Sequence, residues 1–553
     1  MLRITELVLP LDHDPTALAT SVCRKLQIGP ADLLDWAIAR RGYDARRRSA
    51  IRLVYTIDAR VRDEPAVLAR VGRDAHVGPA PDTRYRFTAR APAGNAERPV
   101  VIGCGPCGLL AALTLAEMGF NPIILERGPP VRVRTRDTWA LWRRAELTPE
   151  SNVQFGEGGA GTFSDGKLYS GIKDPRHLGR KVLTAFVEAG APEEILFLSK
   201  PHIGTFRLVT VVEGLRAKIE ALGGEYRFGA RIDDLEIETR ADGTRRMRGV
   251  MLADGTRIAA SHVVLAIGHS ARDTFHMLAR NLVPMAPKPF SIGVRIEHPQ
   301  RLIDTARFGA AAGNRLLGAA DYKLVHHAGN GRSVYSFCMC PGGRVVAATS
   351  EAGCVATNGM SQYSRAAFNA NAGLVVGITP ADYPGDALAG IEFQRAWEQR
   401  AFAAGGDTYA APCQLVGDFL AGRESVSLGS VTPSYRPGTQ PADLAACLPD
   451  YAVTAMREAL AAFDRTLPGF GMHDAVMTGV ETRTSSPVRI TRDAGGQSIG
   501  IAGLFPAGEG AGYAGGILSA GVDGIRIAEA VAASITGTAP ATGLMRGGGT
   551  VYG

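Results

Sequence analysis

The sequence has 553 residues, which is too long for a single hydrophobic core, so two or three domains are expected. Its formal net charge of +7 is small for this length and is not gathered in one stripe, which predicts no nucleic-acid partner. The eight cysteines have no regular spacing and exclude a disulfide framework.

The first residues and the apolar runs of the sequence indicate the cellular location that we expect for the protein. The first six residues, MLRITE, lack the basic start and apolar core of a signal peptide. No apolar run approaches the ~20 residues that a membrane span needs. We therefore expect a cytoplasmic protein without a membrane partner.

Residues 1–90 are predicted to form a small α+β domain. Residues 2–10 and 51–61 alternate like strands, and residues 14–28 and 31–41 have helical spacing. The basic run of residues 40–48 is interleaved with acidic residues, which predicts a solvated helix face. The alternative is a docking face for an acidic partner. Residues 91–96 have the composition of a linker.

A dinucleotide fingerprint follows the linker. Val100–Ile102 is a buried strand, residues 103–108 read GCGPCG, and a helix is predicted over residues 109–118. In this pattern Gly103 makes the tight turn, Gly105 lets a pyrophosphate approach the backbone, and Gly108 allows the helix to pack closely. The helix start offers free N–H groups and the positive end of a dipole to the phosphates.

A second strand at residues 122–125 ends in an acidic residue, Glu126, which is placed to bind ribose hydroxyls. Arg127 and Gly128 after it favour FAD over a nicotinamide nucleotide. Outside the glycine-rich segments assigned to FAD below, the chain has no further G-x-G-x-x-G after a strand, so a resident NAD(P)H domain is not expected.

The fingerprint also contains the pair Cys104 and Cys107, which taken alone resembles a thioredoxin-type dithiol. A phosphate turn requires small residues at both positions. We therefore interpret these cysteines as packing residues.

Two further glycine-rich segments are predicted to contact the same cofactor. In residues 503–517 a strand leads into the glycines and a helix over residues 518–535 leaves them. Glu509 is predicted to bind the ribityl chain, and the helix start to face the flavin ring and stabilise negative charge on it. The loop of residues 155–168 is interpreted as a contact for the FAD pyrophosphate and flavin, with an ordinary surface loop as the alternative.

These motifs predict an α/β fold: a two-dinucleotide-binding, Rossmann-like FAD domain with an inserted α+β substrate domain. The FAD domain is discontinuous, over residues 99–286 and 485–537, and includes a β-meander at residues 247–268. The inserted domain spans residues 287–484, and residues 538–553 are predicted to be a disordered tail.

Five long motifs closely resemble the uncharacterised bacterial FAD-dependent dehydrogenases, or NAD(P)/FAD-dependent oxidoreductases, of the glutathione-reductase structural class, which have relatives in plastids. They are residues 152–167, 201–205, 266–273, 479–487 and 506–516, and the resemblance covers nearly the whole chain. The resemblance implies non-covalent FAD, the N-terminal α+β domain and the inserted substrate domain. It implies no known substrate.

The predicted FAD-binding residues are Gly103, Gly105, Pro106, Cys107, Gly108, Glu126, Arg127, Gly128, Gly158, Gly159, Ala160, Gly161, Thr162, Ser164, Asp165, Lys167, Ile232, Ala266, Gly268, Gly508, Glu509, Gly512, Gly515, Gly516 and Ile517. No His/Cys spacing matches a metal site, and none is predicted.

Flavin carries hydride transfer itself, so protein groups position, polarise or protonate. The predicted catalytic residues are Lys167, His202, Glu481, Arg483 and Tyr513, with His326 and His327 as further candidates. Glu481 and Arg483 alternate on an apparent strand and are expected to face the same way. Cys338 and Cys340 place two sulfurs on one strand face, and we interpret them as a core pair, with a redox or metal role as the alternative.

The sequence thus predicts an FAD-dependent oxidoreductase that acts on an unknown small organic molecule by hydride transfer at flavin N5. Two alternatives stay open. One is a flavin monooxygenase that uses NAD(P)H as a transient reductant. The other is an FAD-stabilised module that binds protein or RNA, with a docking partner at the N-terminal domain.

Overall fold

The computed structural model describes residues 1–94 and 97–538. The predicted tail, apart from its first residue, and two residues of the predicted linker lie outside these ranges. Within them, no helix is both long enough and apolar enough to cross a membrane.

The N-terminal unit is an antiparallel sheet covered by helices. Its elements are β1 (Leu2–Pro10), α1 (Ala17–Leu26), β2 (Leu33–Asp44), β3 (Arg52–Val61), α2 (Glu64–Val71) and β4 (Val77–Pro79). The strand order is β2-β3-β1-β4. Alternate apolar residues of β1 and β3, such as Ile4 and Ile57, are fully buried and share a core with Val22 and Leu26 of α1.

The helix predicted over residues 31–41 is wrong, because this segment belongs to β2. The strand pairs with β3 from Leu33 opposite Val61 to Asp44 opposite Arg52. Hydrogen bonding to β3, the next strand along the chain, overrides the helical spacing of the apolar residues. Arg40 and Arg41 therefore lie on a strand and not on a solvated helix face.

The outer edge of β2 is joined to the rest of the chain at Arg41. The Arg41 N–H donates to the carbonyl of Phe197 at 2.6 Å, and the Ser199 N–H donates to the carbonyl of Arg41 at 2.8 Å. The Arg41 guanidinium also lies 5.4 Å from the centre of the Phe197 ring. This basic residue contacts another part of the same chain, and an acidic docking partner at the N-terminal unit stays a prediction.

A parallel sheet follows, built from two distant stretches of the chain. Its strands, in spatial order, are β23 (Leu504–Pro506), β11 (Val263–Leu265), β5 (Val100–Ile102), β6 (Ile123–Glu126) and β7 (Glu225–Phe228). The helices around it are α3 (Pro106–Glu117), α4 (Val131–Arg144), α5 (Leu178–Glu188), α6 (Thr205–Ala221) and α12 (Ile517–Thr536). The strand, helix and strand predicted around the fingerprint are confirmed.

A smaller sheet stands beside the parallel one. It comprises β8 (Ile232–Thr239), β9 (Arg245–Leu252), β10 (Arg257–Ala259) and β22 (Ile501–Ala502), and α7 (Arg272–Arg280) follows β11. The predicted hairpin in residues 247–260 is confirmed, with Gly255 at φ +85° in its turn. The strands β12 (Met285–Pro287) and β21 (Val488–Ile490) pair where the chain leaves and re-enters this region.

The described strands between residues 290 and 481 form one large mixed sheet. Its order is β14 (Val325–His327), β15 (Ser333–Ala347), β17 (Asn369–Ile378), β13 (Phe290–Pro299), β20 (Val476–Glu481), β18 (Ala411–Leu415) and β19 (Thr439–Pro441), and β16 (Thr357–Ser361) pairs with β15. The helices of this region are α8 (Gln300–Phe308), α9 (Ala389–Ala404), α10 (Val416–Ala421) and α11 (Asp450–Thr466). Nearly every residue of β13 and β17 is buried, so the middle of the sheet is covered on both faces. The fold is thus mixed α/β, as predicted.

Candidate functional site

The fingerprint turn leads from β5 directly into α3. Gly103 has φ +90°, and a Cβ there would lie 2.4 Å from the carbonyl oxygen of Ala266. Gly105 differs, because the nearest described atom to a Cβ there would be the Cα of Gly159 at 3.6 Å. A Cβ would therefore fit at Gly105 in ordinary contact with Gly159, and none of the described side chains caps the start of α3. The unpaired N–H groups and the helix dipole favour a diphosphate at this point.

The two cysteines of the turn are buried in the protein interior. Cys104 is 0% exposed and Cys107 is 5% exposed. A Cβ at Gly508 would lie 2.8 Å from the Cβ of Cys107, so little room surrounds this side chain. Burial raises the pKa of both thiols well above the usual value. This environment supports the interpretation of the pair as packing residues.

Replacing Cys104 and Cys107 together by Ala is therefore expected to leave FAD binding within a few-fold of the original. Alanine is smaller than cysteine and fits the same space, and no reactive thiolate is lost because both thiols are protonated near neutral pH. FAD affinity and flavin reduction are measured side by side for the two proteins. Loss of flavin reduction with FAD still bound would show that the pair is redox-active.

Glu126 joins three backbone segments at the end of β6. Its carboxylate accepts hydrogen bonds from the backbone N–H groups of Cys104 at 3.1 Å, Gly128 at 2.9 Å and Gly156 at 3.0 Å. The residue is 5% exposed. The same carboxylate that is predicted to bind ribose therefore also fixes the fingerprint turn relative to the glycine-rich loop.

Arg127 is held by acidic side chains. Its guanidinium pairs with Glu150 at 2.6 Å and Asp273 at 2.9 Å, and it lies 4.0 Å from the centre of the Phe155 ring. Two carboxylates already compensate the charge of Arg127. Its side chain therefore fixes the protein segments next to the fingerprint turn.

The glycine-rich loop reaches the starts of two helices. A Cβ at Gly159 would lie 2.8 Å from the Cα of Gly105, and one at Gly161 would lie 2.9 Å from Ile517 at the start of α12. The hydroxyl of Thr162 is buried and has no hydrogen-bond partner among the described residues. Close packing and an unpaired buried hydroxyl at one place fit a ligand that passes between the two helix starts.

Arg134 on α4, which the sequence analysis missed, holds this loop in place. It is 0% exposed and donates to the carbonyls of Asn152, Val153 and Glu157 at 2.7–2.8 Å. Burial lowers its pKa to about 10. Helix α4 carries five arginines, and nothing in their spacing shows which one turns inward.

The C-terminal glycine-rich segment lies at the same end of the parallel sheet. The Gly508 N–H donates to Asp523 at 2.8 Å, and Asp523 pairs with Arg492 at 2.6 Å. Glu509 lies 3.4 Å from Nδ1 of His269, and its side chain is 27% exposed. Gly515 and Gly516 are exposed at the start of α12, where none of the described side chains caps the helix.

The remaining predicted FAD-binding residues are distributed around these segments. Ala266 and Gly268 follow β11, Ala160 begins a short 3₁₀ turn, and Gly512 follows the segment at 508–510. The Gly158 N–H donates to the Cys104 carbonyl, and the Ser164 hydroxyl donates to the Gly161 carbonyl. Ile232 is 5% exposed in the core of the smaller sheet, so its side chain packs among apolar residues there.

Lys167 and His202 lie side by side, since their backbones form a β-bridge. The Lys167 ammonium lies 3.2 Å from Asp165, which also pairs with Arg365 at 2.5 Å. Nε2 of His202 lies 2.9 Å from the carbonyl of Tyr363. Burial, reinforced by the Arg365 charge, lowers the pKa of His202 to about 4, so this imidazole is neutral at physiological pH.

Glu481 is the last residue of β20 and pairs with a buried arginine. Arg295 donates two hydrogen bonds to its carboxylate, at 2.7 and 2.8 Å, and a third to the carbonyl of Cys338 at 3.0 Å. Arg295 is 0% exposed and Glu481 is 3% exposed. Both charges are compensated by this bidentate pair.

The prediction that Glu481 and Arg483 face the same way from one strand is wrong, because β20 ends at Glu481. Arg483 instead pairs with Glu398 at 3.0 Å and donates to the hydroxyls of Ser270 and Ser350. Glu398 also pairs with Arg272 at 2.8 Å. Arg483 therefore belongs to a separate buried network.

Tyr513 and the two candidate histidines lie elsewhere. The Tyr513 hydroxyl accepts from the backbone N–H of Arg492 at 3.2 Å, and the Arg492 guanidinium lies 3.7 Å from the ring centre. His326 pairs with Glu458 at the edge strand β14, and His327 bonds to a neighbouring serine there. The predicted catalytic residues thus form several groups, and Lys167 and Glu481 are the two that interact with the pair of thiols described next.

Cys338 and Cys340 stand between two cations. The Lys167 ammonium lies 3.9 Å from Sγ of Cys340, and the Cys340 thiol donates to the carbonyl of Cys338 at 3.2 Å. The pairing of β15 with β17 shifts register here, and Cys338 has φ +41°, so the strand bulges. The neighbouring Cys340 side chain and the charges of Lys167 and Arg295 lower the pKa of the Cys338 thiol.

We expect Cys338 to react fastest of the eight cysteines with a maleimide in the native protein. It is the only cysteine that is not buried, and the thiolate is the reactive form. Mass spectrometry of peptides after brief labelling at neutral pH measures this, and Lys167→Met is expected to slow the labelling. Faster labelling of any other cysteine would contradict the expectation.

One group of possible metal ligands occurs among the described residues. Ligand atoms of Glu351, Cys354 and Glu398 lie within 4.8 Å of one another. Both carboxylates are already bonded to arginines: Glu351 to Arg272 and Arg395, and Glu398 to Arg272 and Arg483. The arginines compensate the negative charge of these ligands, so we do not assign a metal site to this group.

Comparison with known proteins places the chain in a family. A family model described as FAD-dependent protein, C-terminal domain-like, matches residues 289–484, and one described as a domain of unknown function matches residues 1–60. An uncharacterized protein of Clostridium beijerinckii is 46% identical over 533 residues, which make up 96% of this chain and 98% of that protein. The chain belongs to this family of FAD-dependent proteins.

The cofactor of the family is FAD, as predicted, and the chain is a flavoprotein. A D-amino-acid oxidase of Rubrobacter xylanophilus is 31% identical over 190 residues, 32% of this chain and 54% of that protein. The glutathione-reductase class and the cytoplasmic location stay predictions.

Two solved structures show a distant likeness. Anhydrotetracycline hydroxylase OxyS of Streptomyces rimosus is 15% identical, with 80% of this chain and 63% of that one covered and a TM-score of 0.31. Fructosyl amine:oxygen oxidoreductase of Aspergillus fumigatus is 12% identical, with 81% and 88% covered and a TM-score of 0.35.

Proposed function

We propose that this protein transfers a hydride between a small organic substrate and N5 of non-covalently bound FAD. The observation that carries the proposal is the meeting of three glycine-rich segments at the starts of two helices. Gly159 lies against Gly105 at the start of α3, and Gly161 lies against Ile517 at the start of α12. A dinucleotide has a charged pyrophosphate in the middle and an extended group on either side of it. The site between the two helix starts, which we call the FAD cradle, suits a ligand of this shape.

The residues present fit FAD. Space beside Gly105 and the start of α3 would hold the pyrophosphate, and Glu126 would accept from the ribose hydroxyls while keeping its backbone partners. Glu509, with its partly exposed carboxylate, would bind the ribityl chain. The exposed glycines at the start of α12 would face the polar edge of the flavin.

When bound, FAD supplies the hydride acceptor or donor. The buried groups around Lys167 supply charge. Lys167, Arg295 and Arg365 are cationic, Asp165 and Glu481 are anionic, and His202 is neutral, so cations outnumber carboxylates beside the Cys338 thiol. A fixed, buried positive charge stabilises negative charge that develops beside it.

The roles of the five predicted catalytic residues follow from this arrangement. We propose Lys167 as the catalytic cation. Glu481 positions Arg295, and His202 holds the Lys167 segment through the backbone bridge and its bond to Tyr363. Arg483 and Tyr513, which bond to other networks, are proposed to order the protein around the site.

Replacing Lys167 by Met is expected to lower the reduction potential of the bound flavin by about 30 mV or more, since 30 mV corresponds to a tenfold change in a two-electron equilibrium. The loss of a positive charge disfavours the reduced, more negative cofactor. Lys200→Met is the matched control, because Lys200 pairs with Asp321 and is half exposed. If the flavin reduction potentials of the two variants are equal, Lys167 does not act on the flavin.

Anaerobic mixing distinguishes the proposed function from its alternatives. The FAD-loaded protein is mixed with small organic substrates, then with NADH or NADPH, and flavin absorbance is followed. Bleaching by an organic substrate supports the proposed dehydrogenase. Bleaching by NAD(P)H alone, followed by oxygen-dependent product formation, supports a monooxygenase instead. No bleaching by any of them favours a binding module that FAD stabilises.

A further inference from the structure

A cavity of about 600 Å³ lies beside the glycine-rich loop, which contributes Phe163 to its wall. Its walls come from α4, from the start of α6, from β15 and β16, and from the turn at Arg436. Neither the fingerprint turn nor any of the five predicted catalytic residues lines it. Its volume is within the range of about 300–1,000 Å³ found for pockets that bind small molecules.

Three arginines line this cavity, which we call the arginine pocket. Arg143, Arg344 and Arg436 are all exposed, and none has an ion-pair partner among the described residues. No carboxylate is among the lining residues. Many other arginines of the chain, such as Arg132 and Arg144, pair with a glutamate. Three unpaired guanidinium groups around one cavity create a positive potential that attracts an oxyanion.

Aromatic rings form one side of the same pocket. Phe206 is 47% exposed, and its ring centre lies 6.3 Å from that of Trp139. The Arg143 guanidinium lies 4.2 Å from the centre of the Trp139 ring, so charge and aromatic surface meet there. The rings of Trp142 and Phe163 form an edge-to-face pair 5.8 Å apart at the same cavity. The exposed ring of Phe206 and the partly exposed ring of Trp139 favour a flat apolar body.

We infer that the arginine pocket binds a small molecule with a flat aromatic body and a carboxylate or phosphate group. The anion would contact Arg344 and Arg436, which extend from different elements of the large sheet and its turns. The aromatic body would lie against Trp139 and Phe206. This inference concerns binding and does not depend on the reaction proposed for the flavin.

The position of the pocket connects it to the cofactor loop. Phe163 closes the 3₁₀ turn Ala160–Phe163 of the glycine-rich loop, and its ring lines the pocket. The hydroxyl of Thr205, another lining residue, donates to the carbonyl of Thr162 at 2.8 Å. A bound ligand would therefore contact Phe163, which lies between the predicted FAD contacts Thr162 and Ser164.

Isothermal titration calorimetry of the FAD-loaded full chain tests the inference with 2-naphthoate, 2-naphthyl phosphate and the neutral 2-naphthylmethanol. At least one anion is expected to bind at least about tenfold more tightly than the neutral compound. The tighter anion identifies the oxyanion that the pocket prefers. Equal binding of all three compounds, or no binding at millimolar concentration, would overturn the inference.

Variants show whether binding occurs in this pocket. The double variant Arg344→Ala/Arg436→Ala is expected to weaken the preferred anion by at least about tenfold, and Phe206→Ala to weaken both the anion and the neutral compound. The matched control is Arg301→Ala/Arg315→Ala, which removes two exposed arginines of the same region outside the pocket. Equal weakening by the two double variants would place the binding elsewhere and overturn the inference.

Discussion

Replacing Gly105 by Val is expected to abolish retention of FAD while the protein still folds. The Cβ of the new side chain would have 3.6 Å to its nearest neighbour, so the protein itself accommodates it. The valine methyl groups would instead enter the space that the pyrophosphate needs at the start of α3. We expect FAD affinity to fall by at least about 100-fold, or about 2.8 kcal/mol. Absorbance of the purified protein and titration with added FAD measure it.

Gly78→Val is the matched control for this prediction. Gly78 lies on β4 of the N-terminal unit, and a Cβ there would meet no described atom within 4 Å. Circular dichroism and melting temperature verify that both variants fold. If the Gly105 variant is folded and retains FAD as well as the control does, the pyrophosphate does not pass beside Gly105.

Replacing Glu481 by Gln is expected to destabilise the protein by about 3–5 kcal/mol, because it leaves the buried charge of Arg295 without its partner. The matched control is Glu458→Gln, which removes the exposed partner of His326 and is expected to change the stability much less. Denaturant unfolding of both variants measures the difference.

The double variant Arg295→Met/Glu481→Leu tests the physical reason for this cost. Removing both charges together is expected to recover much of the stability lost in the single variant. The recovery is incomplete because Asn358, Asn371 and the Cys338 carbonyl lose the donors that Arg295 supplies. A double variant no more stable than the single one would show that uncompensated charge is not the cause.

The parts of the structure that were predicted well depend on short-range patterns. The strand, glycine turn, helix and second strand around the fingerprint fall within residues 100–126, and each residue type there has a local reason. The hairpin of β9 and β10 likewise follows from its turn residues. The helix over residues 31–41 failed because the partner strand β3, which decides the conformation, begins eight residues after β2 ends.

The pairing of charged side chains was harder to predict from the sequence. Glu481 and Arg295 are 186 positions apart, and no local pattern joins them. Arg483 lies two residues after Glu481, yet its carboxylate partner, Glu398, is on α9. Similarly, the pocket arginines come from α4, β15 and a turn at Arg436, so only the folded chain brings them together.

The hydrogen bonds between β2 and residues 197–199 bear on how the protein can be divided. Residues 1–60 match a family model of their own and would be taken for a detachable module. Yet deleting them would strip the backbone of Phe197 and Ser199 of its partners and leave the apolar Phe197 ring without the Arg41 side chain over it. We expect a variant that starts after the linker to aggregate more readily than the full chain. The N-terminal unit would then shield the backbone at residues 197–199 of the flavoprotein from pairing with other molecules.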